Sequence, residues 1–425
     1  MSVYRPRIAD IQLKKMIRRI GAVLIQGPKW CGKTTTAEQI AASKIYLDDP
    51  EKQKLYRQTA ELNIVALLQG DTPRLMDEWQ LLPQLWDAVR FEVDHRKAEG
   101  QFILTGSAVP PLTDEISHTG TGRFARLTMR TMSLLESGDS TGSVSLRWLF
   151  EKHSEQPQGM AGIDLDRLAF LICRGGWPNV VGKDDEDALA LAFDYYDAVM
   201  DSDISRIDGV RRNAEMARRL TRSLARHQGA QVSLETIRQD MAANDEILQG
   251  ESSFAQYINA LKGIFVVDDM PAWNPNLRSK TAIRTMDTRY FNDPSIAAAA
   301  LGVAPADLTQ DLRTMGLMFE TLAVRDLRVY AGALDGRVYH FRDKSGLECD
   351  AVVHLRNGDY GLVEIKLGGD FLIEEGVKTL NSLEEKIDTG KMKAPSFKMV
   401  LTGVGEYPLR RKDGVYVVPI GCFGL

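Results

Sequence analysis

Residues 21–34, GAVLIQGPKWCGKT, decide the fold of the first third of the chain. Gly27-Pro28-Lys29-Trp30-Cys31-Gly32-Lys33-Thr34 follows the spacing GxxxxGK[ST] and sits between an apolar strand pattern and a helical one. The glycines let backbone N–H groups wrap phosphates, and the helix N-terminus behind them adds its dipole. This octet with Thr35 is the expected phosphate cradle of ATP and its product ADP. Lys33 is expected to reach the β- and γ-phosphates, and the Thr34 hydroxyl to ligate Mg²⁺. A chance glycine-rich turn would lack the flanking strand, the helix and the second motif described next.

That second motif is Asp77-Glu78, which closes the short apolar run RLMDE (74–78) about 45 residues after the loop. An acidic pair at a strand end is commonplace alone, and the spacing gives it weight. Asp77 is expected to hold Mg²⁺ through water, and Glu78 to orient and deprotonate the attacking water. A third run, QFILTGS (101–107), ends in Thr105-Gly106-Ser107, where Thr105 is placed to sense the γ-phosphate. Gly122-Arg123 then opens RFARLTMR, with Arg126 and Arg130. Arg123 is the candidate to stabilise transition-state charge, in its own site or as a finger reaching a neighbouring subunit of a homo-oligomer. The alternative is a solvated or structural arginine.

Bulk properties bound the rest. A chain of 425 residues exceeds one ordinary core, so two or three domains are expected. With 44% hydrophobic and 26% charged residues and no apolar run of membrane-spanning length, the composition is that of a soluble protein without membrane partners. The start, MSVYRPRIADIQLKKMIRRI, reads as an amphipathic lead-in helix rather than a signal peptide. Cys31, Cys173, Cys349 and Cys422 form no CxxC pair, which fits a reducing cytoplasm. A net charge of −5 disfavours a general polyanion binder while allowing a local basic patch for DNA or RNA.

Texture divides the chain into three. Residues 1–138 alternate strand and helix patterns, predicting an α/β fold with a parallel sheet covered on both faces. SGDSTGS (137–143) marks a boundary. Residues 144–310 read as helical, broken at Pro178 and at PAWNPN (271–276), with a winged helix-turn-helix over about 229–270. Residues 311–425, a helix followed by short strands, read as a second, smaller α/β domain.

The ordered set GPKWCGKTT, LMDEWQ, FILTGSA, GR and MSLLESG resembles the bacterial and archaeal AAA-type ATPases that carry a conserved C-terminal domain of unknown function. RGGWP (174–178), DSDISR (201–206), GLMFETL and GLECDAVV with VEIKLG continue the resemblance over nearly the whole chain. Pro73 and Arg74 before Leu75-Met76, and Trp30 and Cys31 within the loop, depart from the usual pattern without replacing a catalytic group. The resemblance implies an ATP site and an AAA-type fold, and leaves the physiological role open.

Two further features carry chemistry. Asp350, Glu364 and Lys366 read D-x13-E-x-K, and strand alternation puts Glu364 and Lys366 on one face. With Glu320 on the preceding helix, this resembles the restriction-endonuclease-like fold. Asp350, Glu364 and Glu320 would there gather divalent metal, and Lys366 would stabilise hydroxide or phosphate. A binding module that cuts nothing is the alternative. In ISRIDGVRRNAEMARRLTRSLARHQ, Arg211, Arg212, Arg218, Arg219, Arg222 and Arg226 project onto one helical arc opposite Met216, Leu220 and Leu224. This is either a solvated basic face or a phosphate-contacting one. The nearly uncharged SSFAQYINALKG, beside Glu251, is poorly suited to reading bases.

Overall fold

The apolar runs of the first third form five parallel strands: β1 (Ala22–Gln26), β2 (Ser43–Tyr46), β3 (Arg74–Asp77), β4 (Phe102–Gly106) and β5 (Phe124–Thr128). Their order is β2-β3-β4-β1-β5. The computed structural model describes residues 4–107, 120–151, 155–206, 210–242, 251–274 and 286–425. Ala108 of FILTGSA, residues 207–209 of the basic segment and Pro275-Asn276 of the PAWNPN breaker therefore lie outside the described residues.

Alternation along these strands separates two cores. Ala22, Leu24, Met76, Phe102 and Leu104 pack with Trp79 and Trp86 on one face. Val23, Ile25, Leu75 and Ile103 pack on the other with Leu13, which the lead-in helix Ile8–Ile17 contributes. A sheet covered on both faces requires apolar residues at successive positions, which is what the run AVLI supplies. Because every strand runs the same way, the segments after Gln26, Asp77, Gly106 and Thr128 all emerge at one edge.

The middle of the chain is helical, with Leu165–Arg174, Asp185–Ala198, Ala214–Arg226, Leu234–Ala242, Glu251–Gly263 and Pro294–Leu301 as its main helices. Asp164, Asp184, Asn213 and Asp293 cap four of them, each accepting a backbone N–H that the first turn would leave unpaired. After Glu251–Gly263 come the antiparallel bridges Val267–Phe291 and Met270–Thr288. The basic arc is shorter than its projection. Asn213 caps the helix, so Arg211 and Arg212 precede it, and Arg212 donates to the carbonyl of Ile204 at 2.8 Å. Acids also meet much of the remaining charge: Arg218 pairs with Asp197 and Asp201, Arg219 with Glu215, and Arg226 with Asp240.

The 137–143 cluster receives the far end of the chain. Ser140 Oγ donates to the Phe423 carbonyl at 2.7 Å, and β6 (Val144–Ser145) pairs with the two residues Phe423–Gly424 near the C-terminus. The C-terminal sheet is mixed, with β7 (Gly336–Arg342), β8 (Glu348–Leu355), β9 (Tyr360–Lys366), β10 (Phe397–Thr402), β11 (Leu409–Arg410) and β12 (Tyr416–Pro419) in the order β11-β12-β10-β9-β8-β7. Val352, Leu362 and Val400 face the helix Asp370–Lys386 through Val377 and Leu380. Ala351, Val353 and Val363 face the opposite way, into a large core shared with the helix Leu312–Ala333 and the central helices.

One buried ionic cluster joins these parts. Arg325, 2% exposed in the helix Leu312–Ala333, pairs with Asp293 at 3.1 Å and with Asp326 at 2.8 Å. Asp293 also accepts from Thr131 Oγ1 (2.6 Å), the Gly176 amide (2.9 Å) and Ser295, and Asp326 accepts from the Leu134 amide at 3.0 Å. The two carboxylates respond differently. Burial opposes ionisation of both, but the Arg325 charge and several donors hold Asp293 below its ordinary value, while Asp326, with fewer donors, is pushed up to about 6. Truncating Arg325 would strand two buried carboxylates. Arg325→Met is expected to cost about 3–5 kcal/mol of stability, read as a lowered denaturation midpoint in urea; a midpoint within error of wild type would show the cluster to be dispensable.

Candidate nucleotide site and C-terminal carboxylate cluster

The loop 27–34 leaves β1 and enters the short helix Lys33–Glu38. Gly27 has φ +154, and a Cβ there would lie 2.1 Å from the Met129 carbonyl, so only glycine fits between the loop and the strand end beyond β5. Gly32 takes φ +96. Lys33 is buried, and its ammonium donates to the carbonyls of Gly27 (3.0 Å) and Pro28 (2.8 Å). Thr34 Oγ1 donates to Asp77 Oδ1 at 2.7 Å, and Thr105 Oγ1 donates to the same oxygen. The ends of β1, β3 and β4 thus converge on one carboxylate.

Glu78 follows Asp77 in a left-handed backbone conformation, φ 53 and ψ 46, which turns its side chain out of the strand direction. Such a conformation is costly for a residue with a Cβ and concentrates at working sites. Its carboxylate accepts from Gln80 Nε2 and from Ser107 Oγ at 3.3 Å. Desolvation raises the pKa of Glu78, while Lys33 and the Gln80 hydrogen bond oppose that rise. Desolvation likewise raises Asp77 against the two threonine hydroxyls. The donor set fits a magnesium nucleotide. Mg²⁺ takes one or two protein oxygens and completes its shell with phosphate and water, and Thr34 and Asp77 supply that pair. Two buried polar atoms beside Gly106, Trp79 Nε1 and Gln80 Oε1, have no protein partner among the described residues.

Arg123 requires a correction. Its place after Thr105 in the sequence suggested a position by the phosphates. Phe124 instead pairs with Ala22 at the start of β1, so Arg123 stands at the sheet edge opposite the loop. It is exposed and paired with Asp94 at 2.8 Å. That register sets Arg123 apart from the end of β1 where the phosphate loop begins.

Contacts that the sequence did not reveal reach the loop from elsewhere. Arg7 donates to the Cys31 carbonyl (2.7 Å) and the Arg130 carbonyl (2.9 Å) and pairs with Glu136 at 3.0 Å, holding the loop from below. Lys29 pairs with Asp203 of DSDISR at 2.6 Å. The Trp30 ring lies 5.5 Å from that of Tyr195, which in turn packs on Trp177 of RGGWP. Both motifs stood out in the sequence, and their contact with the phosphate loop is what singles them out.

At the C-terminal end, Asp350 Oδ2 accepts from the Ile365 amide (2.7 Å) and from Lys366 Nζ (3.2 Å). Lys366 also meets Glu364 Oε2 at 2.8 Å. Glu364 is 3% exposed, and burial, followed by the Asp350 charge, raises its pKa. The same two causes raise Glu320, which accepts from Tyr290 Oη. Asp350, Glu364, Lys366 and Glu320 are therefore near one another, as expected from the sequence. Among the described residues, however, no group of three or more His, Cys, Asp and Glu side chains is arranged to hold a metal ion. Lys366 occupies the space between the two strand carboxylates.

Two measurements follow for the first site. Lys33→Ala is expected to abolish ATP binding by titration calorimetry, since it removes the side-chain cation that the loop motif places at the β- and γ-phosphates. Glu78→Gln should retain binding and slow single-turnover hydrolysis about 10²–10⁴-fold. A general base acts when ionised, so wild-type turnover should fall with acidification at a pH above the 4.5 of an ordinary glutamate. In Glu78→Gln that acid limb should vanish; an unchanged limb would remove Glu78 from the role.

Comparison with known proteins finds three matching families along the chain. Residues 20–137 match a family described as an AAA domain, residues 165–307 a domain of unknown function (DUF8612), and residues 315–423 a domain of unknown function (DUF4143). The chain is also 24% identical over 363 residues to an uncharacterized protein of Mycobacterium tuberculosis and to one of Mycobacterium bovis. Each alignment spans 85% of this chain and 73% of the relative. Among the described residues, no helix is long and apolar enough to cross a membrane. At the level of families, the N-terminal region is similar to AAA-type ATPase domains and the C-terminal region to DUF4143 domains.

Proposed function

We propose that the chain is a Mg²⁺-dependent ATP hydrolase whose nucleotide state is relayed to a C-terminal domain acting on nucleic acid. The observation that carries the ATPase reading is the convergence of Thr34, Asp77, Thr105 and Glu78 at the strand ends beside Lys33. Similarity to AAA domains over residues 20–137 supports it. Thr34 and Asp77 would hold Mg²⁺, which would supply positive charge to offset that of the phosphates. Lys33 binds the same phosphates, Glu78 takes the proton of the attacking water, Ser107 and Gln80 fix the orientation of Glu78, and Thr105 senses the γ-phosphate.

A relay to the rest of the chain is supported by the loop's outward contacts. Lys29 and Trp30 lean on Asp203 and Tyr195, so a shift of the loop on phosphate release moves against the central helices. The helices Leu234–Ala242 and Glu251–Gly263 and the bridges after them are compatible with the winged-helix reading, of which residues 243–250 lie outside the described residues. For the C-terminal domain, the cutting reading rests on the proximity of Asp350, Glu364 and Lys366: the two carboxylates with Glu320 would hold divalent metal once Lys366 leaves them for a phosphate. A second reading, a regulatory ATPase whose C-terminal domain only binds partners, is favoured by one observation. Lys366 is already paired with both strand carboxylates.

The two readings separate on plasmid DNA at low salt. The cutting reading predicts weak nicking with Mg²⁺ or Mn²⁺ that disappears in both Asp350→Ala and Lys366→Ala, together with ATP turnover stimulated by DNA or RNA. Equal background cleavage by wild type and both variants, with unstimulated turnover, would establish the binding reading instead.

A further inference from the structure

A cleft of about 610 Å³ opens where the three regions of the chain meet, and its charge is opposite to that of the molecule. The lead-in helix, the edge strand β5, the segment after Val267 and the edge strand β7 with the end of β8 form its walls. Six arginines line it: Arg19, Arg126, Arg130, Arg328, Arg337 and Arg356, against Asp268, Asp269 and Asp335. The whole chain carries a net charge of −5, so this concentration is not a reflection of composition.

The arginines have two different jobs. Arg130 and Arg328 clamp Asp268 from both sides, at 2.6 and 2.9 Å, and form a paired floor that ties the segment after β5 to the helix Leu312–Ala333. Asp269 is engaged by Lys262. Arg19, Arg126, Arg337 and Arg356 are exposed, and none of the four makes an ion pair with a described residue. They come from four separate stretches of chain, so their convergence is a product of the fold rather than of a basic run in the sequence. Two rings accompany them. Tyr339 and His354 lie in the same wall with centroids 6.4 Å apart.

We infer that this cleft binds a single-stranded nucleic acid segment, with Arg19, Arg126, Arg337 and Arg356 on its phosphates and Tyr339 and His354 against its bases. Guanidinium forks match phosphate oxygens in pairs, and base stacking on aromatic rings is the sequence-tolerant complement to a cationic groove. The sheet holds both rings in place, Tyr339 against the core under the helix Asp370–Lys386 and His354 against Tyr360, and an acidic peptide would use the arginines without these stacking faces. The volume is that of a small-ligand site, suited to a few nucleotides of one strand and not to a duplex. The site is separate from the Asp350 cluster, which lies toward the other end of β8. The inference shares only its ligand class with the proposed cleavage function, and binding measured without divalent metal can fail independently of it.

The test is fluorescence anisotropy of the full chain with a labelled single-stranded oligonucleotide of about ten nucleotides, within the span such grooves cover. Wild type is expected to bind with a strong salt dependence. Arg337→Glu with Arg356→Glu should weaken binding at least tenfold and lower the log–log salt slope by about 1.4, or about 0.7 for each phosphate no longer neutralised. Arg222→Glu, on the basic helix, should leave affinity unchanged, and the thermal midpoint of the double variant should match wild type because both positions are exposed. Binding abolished in Arg222→Glu but kept in the double variant would overturn the inference. So would the absence of oligonucleotide binding where labelled poly-glutamate binds, or binding of mononucleotides alone.

Discussion

The Arg325 guanidinium, buried between Asp293 and Asp326, is the constraint on which the arrangement of the molecule depends. Its partners reach outward to the loop after β5 through Thr131 and Leu134, and to the RGGWP turn through Gly176. Trp177 of that turn packs against Tyr195, and Tyr195 against Trp30 of the phosphate loop. Five residues earlier on the same helix, Glu320 lies beside the C-terminal carboxylates. A charge this deeply buried tolerates few alternative geometries, because any displacement leaves a carboxylate without compensation. It therefore fixes the nucleotide site and the C-terminal sheet in one register. This is the physical basis for expecting one to feel the other.

The nucleotide site was legible in the sequence because its chemistry is local. Gly27, Gly32, Lys33 and Thr34 lie within eight residues, and Asp77 and Thr105 each close an apolar run whose direction is set by a parallel sheet. What was not legible depends on pairs distant in sequence, such as Lys29 with Asp203 or Thr131 with Asp293. Arg123 shows the limit of reading by order alone. It follows the sensor strand in sequence, yet a residue that begins a parallel strand lies at the edge opposite the loop. Arg211 and Arg212 show another limit: the helical projection was sound, but Asn213 caps the helix after them.

The C-terminal cluster illustrates how residue types can be read correctly while their state is not. Asp350, Glu364 and Lys366 come together as strand alternation requires. Their mutual pairing and the burial of Glu364 then set a cost on recruiting metal that no spacing rule contains. Lys366 would have to swing from the carboxylates toward a phosphate for the cluster to work as a cutting site. The same contacts, left in place, would make a rigid and inert sheet end.

The central claim is that the first site turns over ATP, and steady-state phosphate release by the purified wild-type protein tests it most directly. Release is predicted to saturate with ATP, to require Mg²⁺ and to stop when the metal is chelated. ATP that binds without release, or release that persists unchanged under chelation, would contradict the account.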